Sequence, residues 1–501
     1  MTENPEGDTE KEKPSFRERI KTVEFWKGIS TVFGAILVNL IAGSVFGLCT
    51  LVVYQISYIK GIDENNFITI DHMAFYYPFE VIFQCLSSFA SGIIEKKIGL
   101  HFTNLLGFSI LGVGYFIMYL SENFFIDILS MIVCGIGTGI IYYPSTKNAC
   151  LWFMDHAGLV IGIIETVISL GSFLFSTVGE YIINNDEVQS GDNDLYDLEV
   201  AKNIKTYLIV QIISVFGVLL LSFLLIFTKK EEEESSIKEN VEKIKPIEMR
   251  PETPETDGEG NLEAGLINKD CSSTTSMPKE ELYKKKLKVA LKSKRLILYA
   301  IISILTAQGP AMMFSLYRGI GEYKKIDTKI LQLSGSLSFI FECLSGVVTG
   351  VLCDYVNLKI LFLIIGGIST ALISTFCFSF SNGYLFFWSI NIESFVNGAV
   401  FPFNDCYMMK VFGADMYIEL LGYCTFLTNF FVVALSPLAY FIETGLEEKD
   451  NAYWILFSIF GAMNFMAFAL SFFINTEPFN YEERIGQLSN KIEEKNRYES
   501  D

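Results

Sequence analysis

The sequence predicts an all-α polytopic membrane protein in which twelve transmembrane helices form two six-helix, pseudo-symmetric halves. Three observations predict this fold class: long apolar blocks, charges gathered between those blocks, and a repeat shared by the two halves. The chain has 501 residues, of which 51% are hydrophobic, and its mean hydropathy is +0.38. This composition is too apolar for a soluble domain of this length, so we expect the chain to fold in a lipid bilayer.

The apolar blocks are each long enough to cross about 30 Å of hydrocarbon as a helix. In chain order we place the spans at residues 29–59, 72–94, 102–120, 124–153, 157–183, 205–228, 295–318, 329–352, 358–380, 383–411, 414–442 and 451–475. Blocks of roughly 30 residues are expected to tilt, bend or protrude from the bilayer.

The polar segments divide the chain into five parts. These are an N-terminal tail (1–28), a first six-helix half (29–228), a linker (229–294), a second six-helix half (295–475) and a C-terminal tail (476–501). The linker contains a Glu run and a Ser/Thr cluster, which are typical of a disordered segment. Its basic end is interpreted as a positive-inside anchor, the alternative being a site for anionic lipids.

Basic residues indicate the orientation. Most of the 38 Lys and Arg residues fall in the segments that share a side with the two termini, so we expect both termini in the cytoplasm. We also expect the plasma membrane as the location and a monomer as the functional state.

Composition argues against several other classes of protein. The chain has three histidines, no Ser/His/Asp spacing and no phosphate-binding glycine loop after a strand, so we expect no enzyme activity and no cofactor. The ten cysteines are scattered without metal-ligand spacing, so we expect no metal site. The net charge of −19 and the membrane topology argue against nucleic-acid binding.

An internal repeat relates the two halves. The sequence Ile-Phe-Gln-Cys-Leu-Ser at 82–87 recurs as Ile-Phe-Glu-Cys-Leu-Ser at 340–345, an offset of 258 residues. The same offset places Gly92 on Gly350 and Pro144 on Pro402 without a gap. Span two therefore corresponds to span eight and span four to span ten, which is the pattern of two parallel six-helix repeats.

The loop after span eight contains Gly350, Asp354 and Lys359. Their spacing resembles the loop signature of the major facilitator superfamily, Gly-x-x-x-Asp-Arg/Lys-x-Gly-Arg/Lys-Arg/Lys, and the resemblance implies a gating role. It also implies the major facilitator fold for the whole membrane domain. Tyr355 and Asn357 depart from the basic and glycine positions of the signature.

The equivalent loop of the first half keeps Gly92, Lys97 and Gly99 at the same spacing. Lys96 occupies the usual acidic position, and Glu95 lies one residue earlier. This copy is degenerate, so the usual gating ion pair depends on whether Glu95 substitutes for the missing acid.

A second motif joins spans four and five. Its residues are Gly135, Gly137, Gly139, either Tyr142 or Tyr143, Pro144, Trp152, Phe153, Asp155, Gly158, Leu159, Gly162 and Ile163. The run resembles the oxalate:formate antiporter and monocarboxylate transporter-like branch over about 35 residues, which implies a carrier of small organic solutes. Met154, His156 and Ala157 depart from it. The acidic-Gly…Trp motif of monocarboxylate transporters at the first span is absent, since Phe-Trp-Lys-Gly stands at 25–28.

Polar residues inside the apolar spans are functional candidates, because an ionisable group at membrane depth costs several kcal/mol unless it is paired or wetted. Span eight carries one stripe of small and polar residues, namely Gly335, Ser338, Glu342, Ser345 and Thr349; the matching stripe of span two is Glu80, Gln84, Ser87 and Ser91. We expect these faces to line the central cavity or the seam between the halves. Glu342 is our candidate for proton coupling, the alternative being a packing carboxylate bonded to serines.

Span five adds Glu165. In a facilitator fold the fifth and eighth spans are neighbours across the halves, which would bring Glu165 close to Glu342. Two close carboxylates would share a proton. The alternative is a carboxylate that reaches water at the helix end.

Four further positions complete the candidates for the solute or proton pathway. Lys147 and Asp405 are related by the repeat, so we expect a bridge or alternating partners, unless Lys147 snorkels. Asn39 and Tyr54 share a face of span one that could line a cavity. Gln308 precedes Gly-Pro in span seven, which predicts either a broken, ligand-binding helix or a kink.

Together these features predict a proton-coupled or exchanging carrier of a small organic solute, whose partners are the bilayer, the solute and protons. Glu342 and Glu419 stand in spans eight and eleven, where oxalate-type carriers have basic residues, so we expect no dianion as substrate. A monocarboxylate of the lactate, pyruvate or pantothenate type is the leading expectation. The alternatives are an amino acid or other zwitterion, and a non-transporting scaffold or sensor of the same fold.

Overall fold

The computed structural model describes residues 22–62, 68–186, 188, 195–229, 279–445, 449–481 and 483–485. The twelve long helices are α1 Val23–Ile62, α2 Tyr76–Ile98, α3 Leu100–Leu120, α4 Phe124–Trp152, α5 Ala157–Ile183, α6 Ile204–Leu225, α7 Lys294–Tyr323, α8 Thr328–Tyr355, α9 Leu358–Thr375, α10 Gly383–Phe412, α11 Ala414–Gly445 and α12 Lys449–Ser471. No strand occurs within these described ranges. The expected all-α fold with twelve spans is confirmed.

Ten of the twelve helices are long and apolar enough to cross a membrane by their own composition. The other two, α2 and α10, contain buried acids, including Glu80 in α2 and Glu393 and Asp405 in α10. Both helices pack inside the bundle, where polar side chains can avoid lipid. Their position explains why their hydropathy is lower than that of their neighbours.

The helices pack as two halves with the same internal pattern. In the first half α1 packs against α5 and α2 against α4; in the second half α7 packs against α11 and α8 against α10. Two pairs make most of the contact between the halves, α5 with α8 and α2 with α11, and smaller contacts join α5 to α10 and α4 to α11. The repeat exchanges these two pairs, so the seam between the halves is itself pseudo-symmetric.

We call the end of the bundle at which α1 begins the proximal end, and the opposite end the distal end. The helices α2, α4, α8 and α10 end at the proximal end, and α5 and α11 begin there. The expected span boundaries shift by a few residues: α1 starts at Val23, and short 3₁₀ turns, Ile70–Phe75 and Phe376–Ser381, precede α2 and follow α9.

The face of α1 that was expected to line a cavity packs against its neighbours instead. A side chain at Gly43 would meet the backbone of Ile168 in α5, and one at Gly47 would meet the backbone of Ser172. Asn39 Nδ2 donates to Ala35 O at 2.9 Å and to Thr146 Oγ1 of α4 at 3.4 Å. Small residues allow this close approach, so this face of α1 serves helix packing in the first half.

The expected break in span seven does not occur. Helix α7 runs without interruption through Pro310. Gln308 is fully buried, and its Nε2 donates to Ile304 O, one turn earlier in the same helix, at 2.9 Å. Neighbouring helices hold the chain helical here: Gly309 packs against Asn464 of α12 and Ile373 of α9.

The last part of the predicted linker is a helix, Lys279–Leu291, which belongs to a compact unit separate from the twelve-helix bundle. It begins with acidic Glu280 and Glu281 and has a basic last turn, which suits the helix dipole. Glu280 also pairs with Lys284 one turn later at 2.7 Å. The expectation of disorder is therefore wrong for 279–291, while residues 230–278 lie outside the described part of the chain.

Candidate functional site

A small cavity lies on the seam between the halves, where α5, α8 and α10 meet. Its wall consists of Glu165, Thr166, Ser169, Glu342, Gly346, Gly398 and Phe401. It has room for about one water molecule. Glu165 and Glu342, which sequence reasoning placed near one another, thus line the same cavity from opposite halves.

The proximal side of this cavity is closed by backbone contacts between α5 and α8. Gly158 faces Gly350, and Gly162 faces Gly346, so closely that a side chain at any of them would overlap the other helix. Thr166 Oγ1 adds a hydrogen bond to Cys343 O at 2.9 Å. These small residues let the two halves meet without a gap at the proximal end.

The distal side of the cavity is bounded by an aromatic pair. The rings of Phe173 in α5 and Phe339 in α8 lie 6.4 Å apart, one turn beyond Ser169 and Glu342 respectively. Both rings are exposed, at 47% and 39%. On the proximal side of the acids the seam is therefore tightly packed, whereas one turn toward the distal end both helices carry an exposed aromatic ring.

Glu342 combines cavity lining with helix packing. Its backbone contacts Gly398 of α10, and its carbonyl accepts from Ser345 Oγ at 2.8 Å. Its carboxylate lies beside Ser169 of α5. The Glu342 carboxylate can therefore contact both a molecule in the cavity and Ser169 of the opposite half.

Glu165 contacts a second acid on its other side. Tyr142 Oη of α4 donates to Glu165 Oε2 at 2.6 Å, and Tyr417 Oη of α11 donates to Asp405 Oδ2 at 2.7 Å. The carboxyl groups of Glu165 and Asp405 are neighbours across the seam. Four helices, two from each half, thus meet in one polar network, Tyr142–Glu165–Asp405–Tyr417.

Lys147 and Asp405 have separate partners rather than each other. Lys147 Nζ lies 3.7 Å from Glu95 Oε2, and the lysine side chain is 5% exposed. This pair joins α4 to the end of α2 inside the first half. The expected bridge between the repeat-related charges is therefore replaced by one pair within a half and one acid pair across the seam.

Asp354 closes the seam at the proximal end of α5. Its Oδ1 and Oδ2 accept from the backbone amides of Gly158 and Leu159, both at 2.9 Å. An acid at the N-terminus of a helix satisfies unpaired amides and opposes the positive end of the helix dipole. Lys410 Nζ, 3.5 Å from Asp354 Oδ1, holds this carboxylate from the side of α10.

The degenerate loop of the first half forms a contact of the opposite polarity. Lys96, which replaces the acid, lies 3.2 Å from Glu419 Oε1 at the start of α11 and also donates to Asp415 O. Gly92 leaves room for the Glu419 carboxylate, which is 1% exposed. The ion pair at this position of the seam therefore forms with its charges exchanged, while Glu95 is engaged with Lys147.

The remaining loop residues set the helix ends. Gly99 ends α2 with a φ of 81°, a conformation that favours glycine, whereas Asn357 has a φ of −60° and caps α9 through the Lys359 amide at 2.9 Å. The departure from glycine at 357 is thus accommodated by a different turn. Lys97 is exposed at the end of α2.

The Trp-Phe motif is a proximal clamp in the first half. Trp152 Nε1 donates to Phe227 O at 3.0 Å, and Asn148 Nδ2 donates to the same carbonyl at 2.9 Å. Asp155 is exposed in the Met154–His156 turn between α4 and α5. The motif therefore fixes where α5 begins, and with it the position of Gly158 and Glu165 along the bundle axis.

Four predicted pathway residues make their described contacts within a single half and not across the seam. Tyr54 Oη donates to Glu180 Oε1 at 2.5 Å near the distal end, and Gln84 is buried where α2 packs against α4. Asn39 and Gln308 bond their own helices, as described above. None of these four side chains lines the cavity of Glu165 and Glu342.

Sequence reasoning missed the partners of the central acids. Tyr417 was not singled out, although an aromatic hydroxyl in an apolar span is a polar group that needs a partner. Asp127 was also missed; it is buried near the distal end and accepts from Gln55 Nε2 and Tyr76 Oη, each at 3.1 Å. Within the described ranges no group of three or more His, Cys, Asp or Glu residues could hold a metal ion.

Comparisons with known proteins agree with this architecture. A 100-residue segment is 29% identical to monocarboxylate transporter 9 of Pongo abelii, and the match covers 20% of this chain and 18% of that protein. A crystal structure of a double tryptophan mutant of XylE has a TM-score of 0.64 at 14% identity, covering 92% of this chain and 98% of that one. The E. coli fucose:proton symporter FucP has a TM-score of 0.56 at 11% identity, covering 89% and 98%. The family model of the Major Facilitator Superfamily matches residues 34–437, and the chain belongs to this family of transporters.

Proposed function

We propose that this chain is a secondary active transporter that moves a small monocarboxylate together with a proton by alternating access. The observation that carries the proposal is the cavity on the seam, lined by Glu165 from one half and Glu342 from the other. Rocking of two six-helix halves around a site on their seam is the transport movement that this architecture supports.

The two glutamates support protons as the coupling ion. An ionised carboxylate in a site with room for only about one water lacks most of its hydration, so proton binding offsets the cost of burial. When the site opens to water the same carboxylate can release its proton. Glu342 is the better carrier of the coupled proton, because it lies on the cavity wall beside Ser169 and one turn from the exposed ring of Phe339, whereas Glu165 is engaged by Tyr142 and Asp405.

Two observations support a monocarboxylate as the solute. The first is the segment similar to monocarboxylate transporter 9, together with the glycine and Trp-Phe motif between α4 and α5. The second is electrostatic: an anion enters a site with two glutamates at low cost only if protons neutralise the carboxylates beside it. Symport of an anion with a proton meets this condition.

A zwitterion such as an amino acid is the second candidate. Its ammonium group could pair directly with Glu342 or Glu165, which the two carboxylates of the cavity favour. Its carboxylate would need a donor, which Ser169 or Thr166 on the same wall could supply. The two candidates therefore use the same acids in different ways.

Two proximal latches support alternating access as the mechanism. Asp354 with Gly158 and Lys96 with Glu419 join the halves at pseudo-symmetric positions. Both must break for the proximal end to open. We further propose that this end faces the cytoplasm, that the membrane is the plasma membrane and that one chain suffices for transport.

Counterflow in proteoliposomes tests the substrate class. Purified protein is reconstituted in vesicles preloaded with one unlabelled solute from a panel of monocarboxylates and amino acids, and entry of the labelled solute is followed. Accelerated exchange of lactate-type acids alone supports the monocarboxylate, and exchange of amino acids alone supports the zwitterion. No exchange of any solute would contradict both and favour a scaffold of the same fold.

A further inference from the structure

Glu165 and Asp405 stand out among the buried acids because they come from different halves. Glu165 is 7% exposed and Asp405 3% exposed, and their carboxyl groups are neighbours. Each is held on its outer side by the hydroxyl of a tyrosine from its own half, Tyr142 and Tyr417. Asp127 and Glu393, two other buried acids, are bonded within one half, and Glu419 and Asp354 contact the other half through a lysine and through backbone amides rather than through a second acid.

The second oxygen of Glu165 has no donor. Oε2 accepts from Tyr142, but Oε1 is buried and unpartnered within the part of the chain that the structure describes. Buried oxygens almost always accept a hydrogen bond. We therefore expect Glu165 Oε1 to share a proton that no described amide or hydroxyl group donates.

We propose that Glu165 and Asp405 form a proton-binding site that bridges the two halves, and that the proximal end closes when the two carboxyl groups share one proton. The protonated carboxyl donates to the other carboxylate, which gives the seam a charge-assisted hydrogen bond. Without that proton two adjacent carboxylates carry like charges in a buried place and repel one another.

This proton has a different role from one carried by Glu342. Glu342 faces the cavity, whereas Asp405 lies behind Glu165 in the network with Tyr417. Although Glu165 also lines the cavity, the shared proton depends on the contact with Asp405, so the pair reports the state of the seam. The inference rests on the alternating-access part of the proposed function and not on the identity of the solute.

The groups around the pair come from five helices. They are Tyr142, Tyr143 and Cys150 on α4, Glu342 and Cys353 on α8, Cys406 on α10, Tyr417 on α11 and Tyr299 on α7. The cation on the same helix α4, Lys147, is engaged by Glu95 at 3.7 Å. The tyrosines and cysteines are neutral near pH 7, so the protons that respond to pH are the one shared by the two acids and the one on Glu342, and the double variant described below separates the two.

Closure can be measured with two spin labels on the full-length protein in lipid nanodiscs. Phe102 and Ile360 suit this purpose because the repeat relates them, they lie at the proximal ends of α3 and α9, and they are 64% and 54% exposed. The distance between labels on Phe102→Cys and Ile360→Cys is measured by double electron–electron resonance without any solute. The variants Phe102→Cys and Ile360→Cys, each made alone, control for labelling of native cysteines.

We expect the short-distance population to fall by half or more between about pH 5.5 and about pH 8.5, as the shared proton is lost. In Glu165→Gln/Asp405→Asn the two amides can bond each other without a titrating group, so the short distance should persist across the whole range. Glu393→Gln, a buried acid of α10 bonded to Ser369 at 2.7 Å within the second half, should keep the wild-type pH response.

Three outcomes would overturn the inference: a pH-independent distance in the wild-type protein, an unchanged pH response in the double variant, or a response to Na⁺ at fixed pH in place of the response to protons. Failure of the proposed function looks different. If no solute is transported while closure still follows pH through this pair, the proton site stands and the transporter assignment falls. If uptake is proton-driven while closure ignores pH, the reverse holds.

Discussion

The carboxylate of Asp354 accepts a hydrogen bond from the backbone amide of Gly158 at 2.9 Å. Asp354 lies at the end of α8 and Gly158 at the start of α5. One half of the bundle thereby caps a helix of the other half. The first half lacks the equivalent acid, and Lys96 contacts Glu419 at the start of α11 in its place. The two contacts differ in chemistry but occupy repeat-related places, so both should resist opening of the proximal end.

Asp354→Asn tests the helix-capping latch. The amide keeps one acceptor oxygen but loses the negative charge opposite the helix N-terminus and the attraction to Lys410. Loss of a charged cap costs about 1–2 kcal/mol, so the closed-to-open ratio should fall about 5- to 30-fold. The distance between labels at 102 and 360 measures this ratio. Glu199→Gln, at an exposed acid of the short Leu198–Ala201 helix, is the control and should leave it unchanged.

Lys96 and Glu419 should be interchangeable as a pair. Lys96→Glu or Glu419→Lys alone places like charges about 3 Å apart and should open the proximal end. Together the two substitutions restore opposite charges, and the double-mutant cycle should show a coupling energy of about 1–3 kcal/mol, because Glu419 is almost fully buried.

The exposed pair Glu280 and Lys284 gives a matched control for that cycle. Both side chains are about 70% exposed, and such pairs contribute about 0.3–0.5 kcal/mol. Exchanging their charges should not change closure. A double variant Lys96→Glu/Glu419→Lys that behaves as badly as the worse single variant would contradict the pairing.

Gly350→Ala should prevent tight closure. Its new methyl group would overlap the carbonyl oxygen of Gly158 and lie 2.7 Å from Gly162 Cα, both in the opposite half. Because these are backbone atoms, the helices must separate, at a cost of about 1–3 kcal/mol. We expect a longer label distance and slower transport. Gly217→Ala, where nothing lies within 4 Å of the added carbon, should be neutral; equal effects of the two substitutions would contradict the packing argument.

The helices and their arrangement were predictable from the sequence for physical reasons. A bilayer demands helices of a minimum length, so apolar blocks mark the spans even where α2 and α10 carry acids. The offset of 258 residues between Gly92 and Gly350 also identified the symmetric seam. It could do so because glycines that allow close helix contact are needed in both halves.

The contacts of the site were less predictable. Whether Lys147 pairs with Asp405 or with Glu95 depends on how α2, α4 and α10 are rotated and how far each is shifted along the bundle axis. Span boundaries that are uncertain by a few residues do not fix these quantities. The break expected at Pro310 was wrong, because α7 stays helical through that point, where Gly309 packs against α9 and α12. The tyrosines of the central network gave no periodic signal, since each acts through a single hydroxyl.

The central claim is that Glu342 couples the solute to a proton. Its most direct test is uptake of labelled monocarboxylates and amino acids into proteoliposomes, with and without an inward proton gradient. Wild type, Glu342→Gln and the control Glu393→Gln are compared. We predict gradient-driven uptake in wild type and the control, and its loss in Glu342→Gln with solute exchange retained. Gradient-driven uptake that survives in Glu342→Gln would contradict the account.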